Sequence, residues 1–132
     1  MALPNGAGGY QVGDGNVGEA QLFVQGAPTS ITAAATMTAD QLANGLFVFD
    51  GSAGNLTLPT VANLEAAVSS AAKVNAAFDF FVVNIDGGTD DVTVATATGW
   101  TLVGTMQVDN ATSGHFRARK TGDGTWTCYR IS

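Results

Sequence analysis

The chain has 132 residues, 11 of them acidic and 5 basic, with a formal net charge of -6 and a charged share of 12%, against a usual share of about 25%. That length has room for one domain around one core, and so little charge predicts that much of the surface is covered by something else. No Lys or Arg precedes Lys73, which argues against a nucleic-acid partner because phosphate binding needs clustered cations; no run of about 18 apolar residues suggests a membrane span, and MALPNGAGGY lacks the basic and apolar regions of a secretion signal.

Residues 1–29, MALPNGAGGYQVGDGNVGEAQLFVQGAPT, hold seven glycines and two prolines with no sustained hydrophobic period, so they read as an extended arm. Tyr10, Val12, Val17, Leu22, Phe23 and Val24 are scattered through it. A purely solvated linker would not need them, and the arm is expected to be ordered by contact with another surface.

Residues 30–132 change to short β-prone runs separated by turns. SITAAATM reads as one strand with small side chains. Thr38-Ala-Asp-Gln41 has the form of a capping box, and Gly45 falls where a left-handed end would close a short helix. LFVFD and NLTLP are expected as strands flanking the GSAG turn. A longer helix is expected from Thr60 to about Lys73, with Val61, Leu64, Val68 and Ala71 on one apolar stripe. FDFFVVNID is apolar on both alternations: Phe78, Phe80 and Val82 on one face, Phe81, Val83 and Ile85 on the other. Such a strand is expected to be covered on both sides, by the core on one and by the helix or another subunit on the other.

After Asp86-Gly87-Gly88 come VTVATA, TLVG, TMQVD, GHFRARK and TWTCYRI at 8 to 12 residue spacing. This cadence predicts a mainly β fold: an antiparallel β-sandwich, jelly-roll-like, with one short helix packed on it. No internal repeat stands out. In the last hairpin, a two-residue loop at Asp123-Gly124 would set Arg117 opposite Arg130, a like-charge pair that opposes folding by up to about 1 kcal/mol. A three-residue loop with Gly124 left-handed pairs Arg117 with Tyr129 and Ala118 with Cys128 instead. The second is preferred. It turns Phe116, Ala118, Trp126 and Cys128 inward, and Arg117, Arg119, Thr127 and Tyr129 outward.

The chemistry-bearing residues do not assemble into a catalytic pattern. His115 and Cys128 are single; Cys128 is expected to face the core as a small hydrophobe and His115 to sit at a strand start. Asp86, Asp90 and Asp91 lie within six residues but lack the full calcium-loop pattern, so they read as an acidic turn. Gly13-Asp14-Gly15 has no lysine to complete a phosphate loop. No metal or cofactor is expected. Arg117, Arg119 and Tyr129 read as a solvated face, as a partner contact, since arginine and tyrosine concentrate in interface hot spots, or, least favoured, as a phosphate or nucleic-acid site.

Taken together, TSITAAATMTADQLANGLFVFDG, NLTLPTVANLEAAV, FDFFVVNIDG, VTVATATGWTLVGTMQV and the closing GHFRARK and TWTCYRI resemble small structural proteins of tailed bacteriophages, and more narrowly head decoration (cement) proteins. The resemblance spans about residues 29–132 and leaves the arm unmatched. It implies a non-enzymatic virion protein, a homotrimer on the outer surface of the capsid whose partners are the major capsid protein and itself. The residues expected at such contacts are Tyr10, Phe23, Phe81, Val83, Ile85, Arg117, Arg119 and Tyr129. A rival reading is a receptor- or glycan-recognition module of a tail or fibre, with Trp100 and Trp126 as a sugar platform; another non-enzymatic virion part is a closer rival.

Overall fold

A computed structural model of the chain describes residues 22–68 and 73–132. Its elements run β1 (Thr29–Ile31), β2 (Ala35–Thr36), α1 (Ala39–Asn44), β3 (Leu46–Phe49), β4 (Gly54–Thr57), α2 (Val61–Ala67), β5 (Ala77–Asn84), β6 (Val92–Ala95), β7 (Trp100–Val103), β8 (Gln107–Val108), β9 (Ser113–Gly122) and β10 (Thr125–Arg130). The large sheet has the order β1-β3-β5-β9-β10-β7 and the small sheet β2-β4-β6-β8. The fold is mainly β, as expected, with two helices.

The sheets are mixed, which corrects the antiparallel expectation. In the large sheet β1–β3, β3–β5 and β7–β10 pair in parallel, and in the small sheet so do β2–β4 and β4–β6. Only β5–β9, β9–β10 and β6–β8 are antiparallel. The reason lies in the connections. TSITAAATM is not one strand: it bends after Ile31 and resumes at Ala35 in the other sheet. LFVFD and NLTLP likewise pass from the large sheet to the small one instead of folding into a hairpin about GSAG. β5 and β6 repeat the move, so each of three passes lays one strand on each sheet beside the previous pass.

Stacked corners hold the passes in register. The Asp50 N–H donates to the Ile31 carbonyl at 2.9 Å, Ser52 to Thr32 at 3.2 Å, and Ile85 to Phe49 at 2.9 Å. Small residues make this approach possible: a Cβ on Gly51 would lie 1.9 Å from the Thr32 carbonyl oxygen. The third corner is fixed by Asn84, which is fully buried. Its Nδ2 donates to the carbonyls of Asp90 (3.0 Å) and Val108 (3.1 Å), and its Oδ1 accepts from the Asp86 N–H (3.0 Å). A buried amide satisfied on both sides stabilises the turn, whereas one left unpaired would cost about 1–3 kcal/mol.

Both helices occupy the return connections from the small sheet to the large one. The capping box at α1 forms as the sequence predicts: Thr38 Oγ accepts from the Gln41 N–H at 3.2 Å, the Gln41 side chain accepts from the Thr38 N–H at 3.0 Å, and Gly45 closes the helix at φ 80°. Thr60 caps α2 by accepting from the Asn63 N–H. This helix is shorter than expected, because Val68 already has extended backbone at its end; Ala71 lies outside the described residues.

α2 packs on the inner side of the large sheet. Val61 and Leu64 are buried in the core, and Glu65 accepts from the Lys120 ammonium and from Trp126 Nε1. Those two donors hold the Glu65 carboxyl below its ordinary range, Lys120 foremost. Side chains of both sheets and both helices meet in one cluster, with Phe47, Phe80, Phe116 and Trp126 from the large sheet and Leu56, Val92 and Val94 from the small one.

Corner stacking is tested by a pair of substitutions. Gly51→Ala has no room and should destabilise the fold by about 2–4 kcal/mol. Gly87→Ala, where an added Cβ meets nothing within 4 Å, should stay within about 0.5 kcal/mol of the parent. Urea unfolding followed by tryptophan fluorescence reads both; equal midpoints would contradict the stacked-corner account.

Candidate interaction surface

The last hairpin determines which side chains share the outer face of the large sheet. Asp123 and Gly124 alone separate β9 from β10, Gly124 takes a left-handed φ of 69°, and the register shifts between Thr125 and Trp126. That bulge pairs Arg117 with Tyr129 and Ala118 with Cys128, the pairing the sequence favours. Phe116, Ala118, Trp126 and Cys128 are buried. Arg117 is exposed, and Arg119 and Tyr129 are half-buried; Thr127, expected outward, is covered to 8% exposure.

On β5 the alternation works as the sequence predicts, but its second face is not covered by the helix. Phe80 and Val82 are buried, while Phe81 is 41% and Ile85 53% exposed and Val83 is half-buried. α2 cannot reach that face because its contacts to Lys120 and Trp126 place it on the other side of the sheet. Register extends the apolar patch sideways: Leu46 lies beside Phe81, and Val48 beside Val83. Both are half-buried. Full burial of one such side chain is worth about 1.5–3 kcal/mol, so an open row of them favours being covered.

Next to this patch lies a polar cluster whose centre the sequence reasoning missed. Asp79, in phase with Phe81 and Val83 on β5, pairs directly with Arg117. Its carboxylate accepts two bonds from that guanidinium, from Nε at 2.6 Å and the terminal nitrogen at 2.9 Å, and lies 2.9 Å from His115 Nε2. The His115 ring stacks on Phe81 with centroids 4.5 Å apart. The Arg117 guanidinium, with His115 assisting, holds the Asp79 carboxyl down at about 2 against the opposing effect of burial. The alternation of FDFFVVN carries the signal for this pair; the partner strand that completes it is fixed only by register.

The other tail cations are also engaged within the chain. Arg119 donates to the Tyr129 hydroxyl at 2.6 and 3.0 Å and to Asn75 at 2.8 Å. Arg130 lies over the Phe116 ring and donates to the carbonyls of Thr105, Gln107 and Ser132. Lys120 is buried against Glu65. Four of the five basic residues therefore stand in the strands of the large sheet, where Asp79 is the one carboxylate.

Of the residues expected at contacts, Phe81, Val83, Ile85, Arg117, Arg119 and Tyr129 come together on this one face. Phe23 is 84% exposed, two residues before the Gln25 that bonds to Asn44. Tyr10 lies outside the described residues. His115 and Cys128 are on opposite faces of the sheet, and burial pushes the Cys128 thiol up to about 12, where it is a poor nucleophile. Asp86 accepts from the Gly88 and Asp90 N–H groups, and Asp91 from Gln107 and Asn110; among the described residues no group of three acidic, His or Cys side chains could hold a metal. Trp100 is 8% and Trp126 2% exposed, and Trp100 Nε1 donates to the Pro59 carbonyl at 2.7 Å. Neither indole is available as a sugar platform.

No family model, curated protein or solved structure matches this chain.

The Asp79 pair gives a pH signature. A free aspartate titrates near 3.9, and the folded value is lower, so the stability it contributes is present above the unfolded value and lost as pH falls from about 5 to about 2. Asp79 is 30% exposed, so solvent screens the pair and its contribution at pH 7 is about 1 kcal/mol. Asp79→Asn should lower stability by that amount at pH 7 and flatten the acid limb. Urea midpoints between pH 2 and 7 measure it; an unchanged slope would remove the pair from the account.

Proposed function

We propose that this protein is a structural virion component, a capsid decoration (cement) protein that sits on the outer surface of a phage head as a homotrimer and braces the shell. The observation that carries this reading is the outer face of the large sheet, where Phe81 and Ile85 are exposed and Val83 is half-buried, with the His115 ring alone stacked on Phe81 and neither helix over the row. The sequence resemblance to head decoration proteins supplies the class.

Physical requirements fit this role. A brace must hold its own shape, and here packing alone does so, with both sheets feeding one core in what we read as a β-sandwich; the parallel pairings give no support to a jelly-roll. It must also present surface that becomes dry on assembly. Low charge suits such surface, because charged residues are depleted at interface centres. Three modest contacts held in one trimer bind far more tightly than one, through effective concentration. The charged cluster beside the patch is neutralised internally by the Asp79–Arg117 pair, which lowers the cost of covering it.

Light scattering across a sizing column tests the trimer directly. The expected molar mass is three times the 13.4 kDa of the chain, and Val83→Asp should reduce it to that of one chain with the circular dichroism unchanged. Purified protein should co-sediment with undecorated capsids of the phage that encodes it. A trimer that survives Val83→Asp would move the contact off this face; failure to co-sediment under any capsid state would overturn the decoration role.

A further inference from the structure

Leu22, Phe23 and Val24 are consecutive large apolar residues with 93%, 84% and 98% of their surface exposed. Single exposed hydrophobic residues need no explanation, but a contiguous apolar group marks a contact. These three are also placed, not merely free. Immediately after them, Gln25 Nε2 donates to the Asn44 carbonyl at 2.9 Å, and Asn44 Nδ2 donates to the Ala27 carbonyl at 2.9 Å. Gly26 lies so close to Asn44 that a Cβ would come within 2.3 Å of its Oδ1. The chain is thus pinned beside the end of α1, and the apolar tripeptide precedes that point almost fully exposed among the described residues.

We propose that Leu22-Phe23-Val24 of one copy docks on the Leu46, Val48, Phe81, Val83 and Ile85 patch of a second copy. This rests on the trimeric reading above and names what covers its open face. The tripeptide is exposed, and on the receiving face Phe81 and Ile85 are exposed while Leu46, Val48 and Val83 are half-buried. Charge is complementary as well: residues 1–28 carry Asp14 and Glu19 and no Lys or Arg, while on the receiving face Asp79 neutralises Arg117 and leaves the charge of Arg119, bonded to Tyr129 and Asn75, without a carboxylate. The contact is head-to-tail, two different surfaces meeting, and a head-to-tail contact that closes on itself makes a ring. A tripeptide is small beside a standard interface of about 1,600 Å²; closure of the ring, in which every chain both gives and receives, supplies the remaining strength.

Two variants with one added cysteine each test this, Phe23→Cys and Val83→Cys, with the native Cys128 left in place because it is buried. Mixed in equal amounts and mildly oxidised, they should give a disulfide-linked dimer at least tenfold more abundant than in either variant alone. Phe23→Asp, at an exposed position, should leave the circular dichroism unchanged and shift the light-scattering mass to a single chain. A wild-type oligomer that forms no mixed disulfide and survives Phe23→Asp would overturn the docking and leave the trimer standing. A double variant, Phe23→Cys with Val83→Cys, that closes within a monomer would assign the tripeptide to its own face and overturn it too. A monomeric wild type would overturn both the docking and the trimer, and co-sedimentation of that monomer with capsids would keep the decoration role.

Discussion

The architecture depends on the close stacking of chain corners. A chain that crosses between two sheets on every pass has to bring its corners within backbone hydrogen-bond distance, or neither sheet forms. Thr32 under Gly51 and Ala34 under Gly54 provide that approach, and the bonds from Asp50, Ser52 and Ile85 to the preceding corner fix the register. Once these contacts exist, β1, β3 and β5 run parallel in one sheet, and β2, β4 and β6 in the other. The helices follow as return connections, since parallel neighbours need a crossover that a hairpin turn cannot supply.

β5 is the seam between this stacked half and the antiparallel β9–β10 hairpin. Its inward residues join the core through Phe80, which stacks on Phe116 and meets Phe47 edge-on. Its outward residues lie in the middle of the large sheet, where strands on either side extend them into a surface. A central strand that is apolar on both faces is ordinary in a sheet covered on both sides. Here α2 is held on the inner side by Glu65 and leaves the second face uncovered by a helix.

The same arrangement explains why the cations gather at the end of the chain. Arg117 and Arg119 alternate outward on β9 and Lys120 falls inward, so one strand supplies a surface ion pair, a guanidinium on a tyrosine hydroxyl and a buried clamp to α2. Arg130 closes the sheet end by donating to the carbonyls of Thr105, Gln107 and Ser132. Positive charge is concentrated where strand ends, a helix and a central carboxylate need donors. None of the four is left as a free cluster for a polyanion.

The sequence by itself determined what depends on neighbours along the chain. The capping box at Thr38 and Gln41, the left-handed Gly45, the inward and outward alternation of FDFFVVN, and the Arg117–Tyr129 register follow from residue types at fixed short spacings. Only the tertiary structure decided which strands pair. TSITAAATM and FVFDGSAGNLTLP look like a strand and a hairpin because small residues and glycines also mark turns; that they are corners stacked on one another depends on contacts between segments about twenty residues apart. Asp79 shows the same division, since its place on β5 was legible but its partners were not. Hydrogen-bond pairing between distant strands leaves no periodic trace in either strand alone, so parallel and antiparallel sheets can share one pattern of alternation.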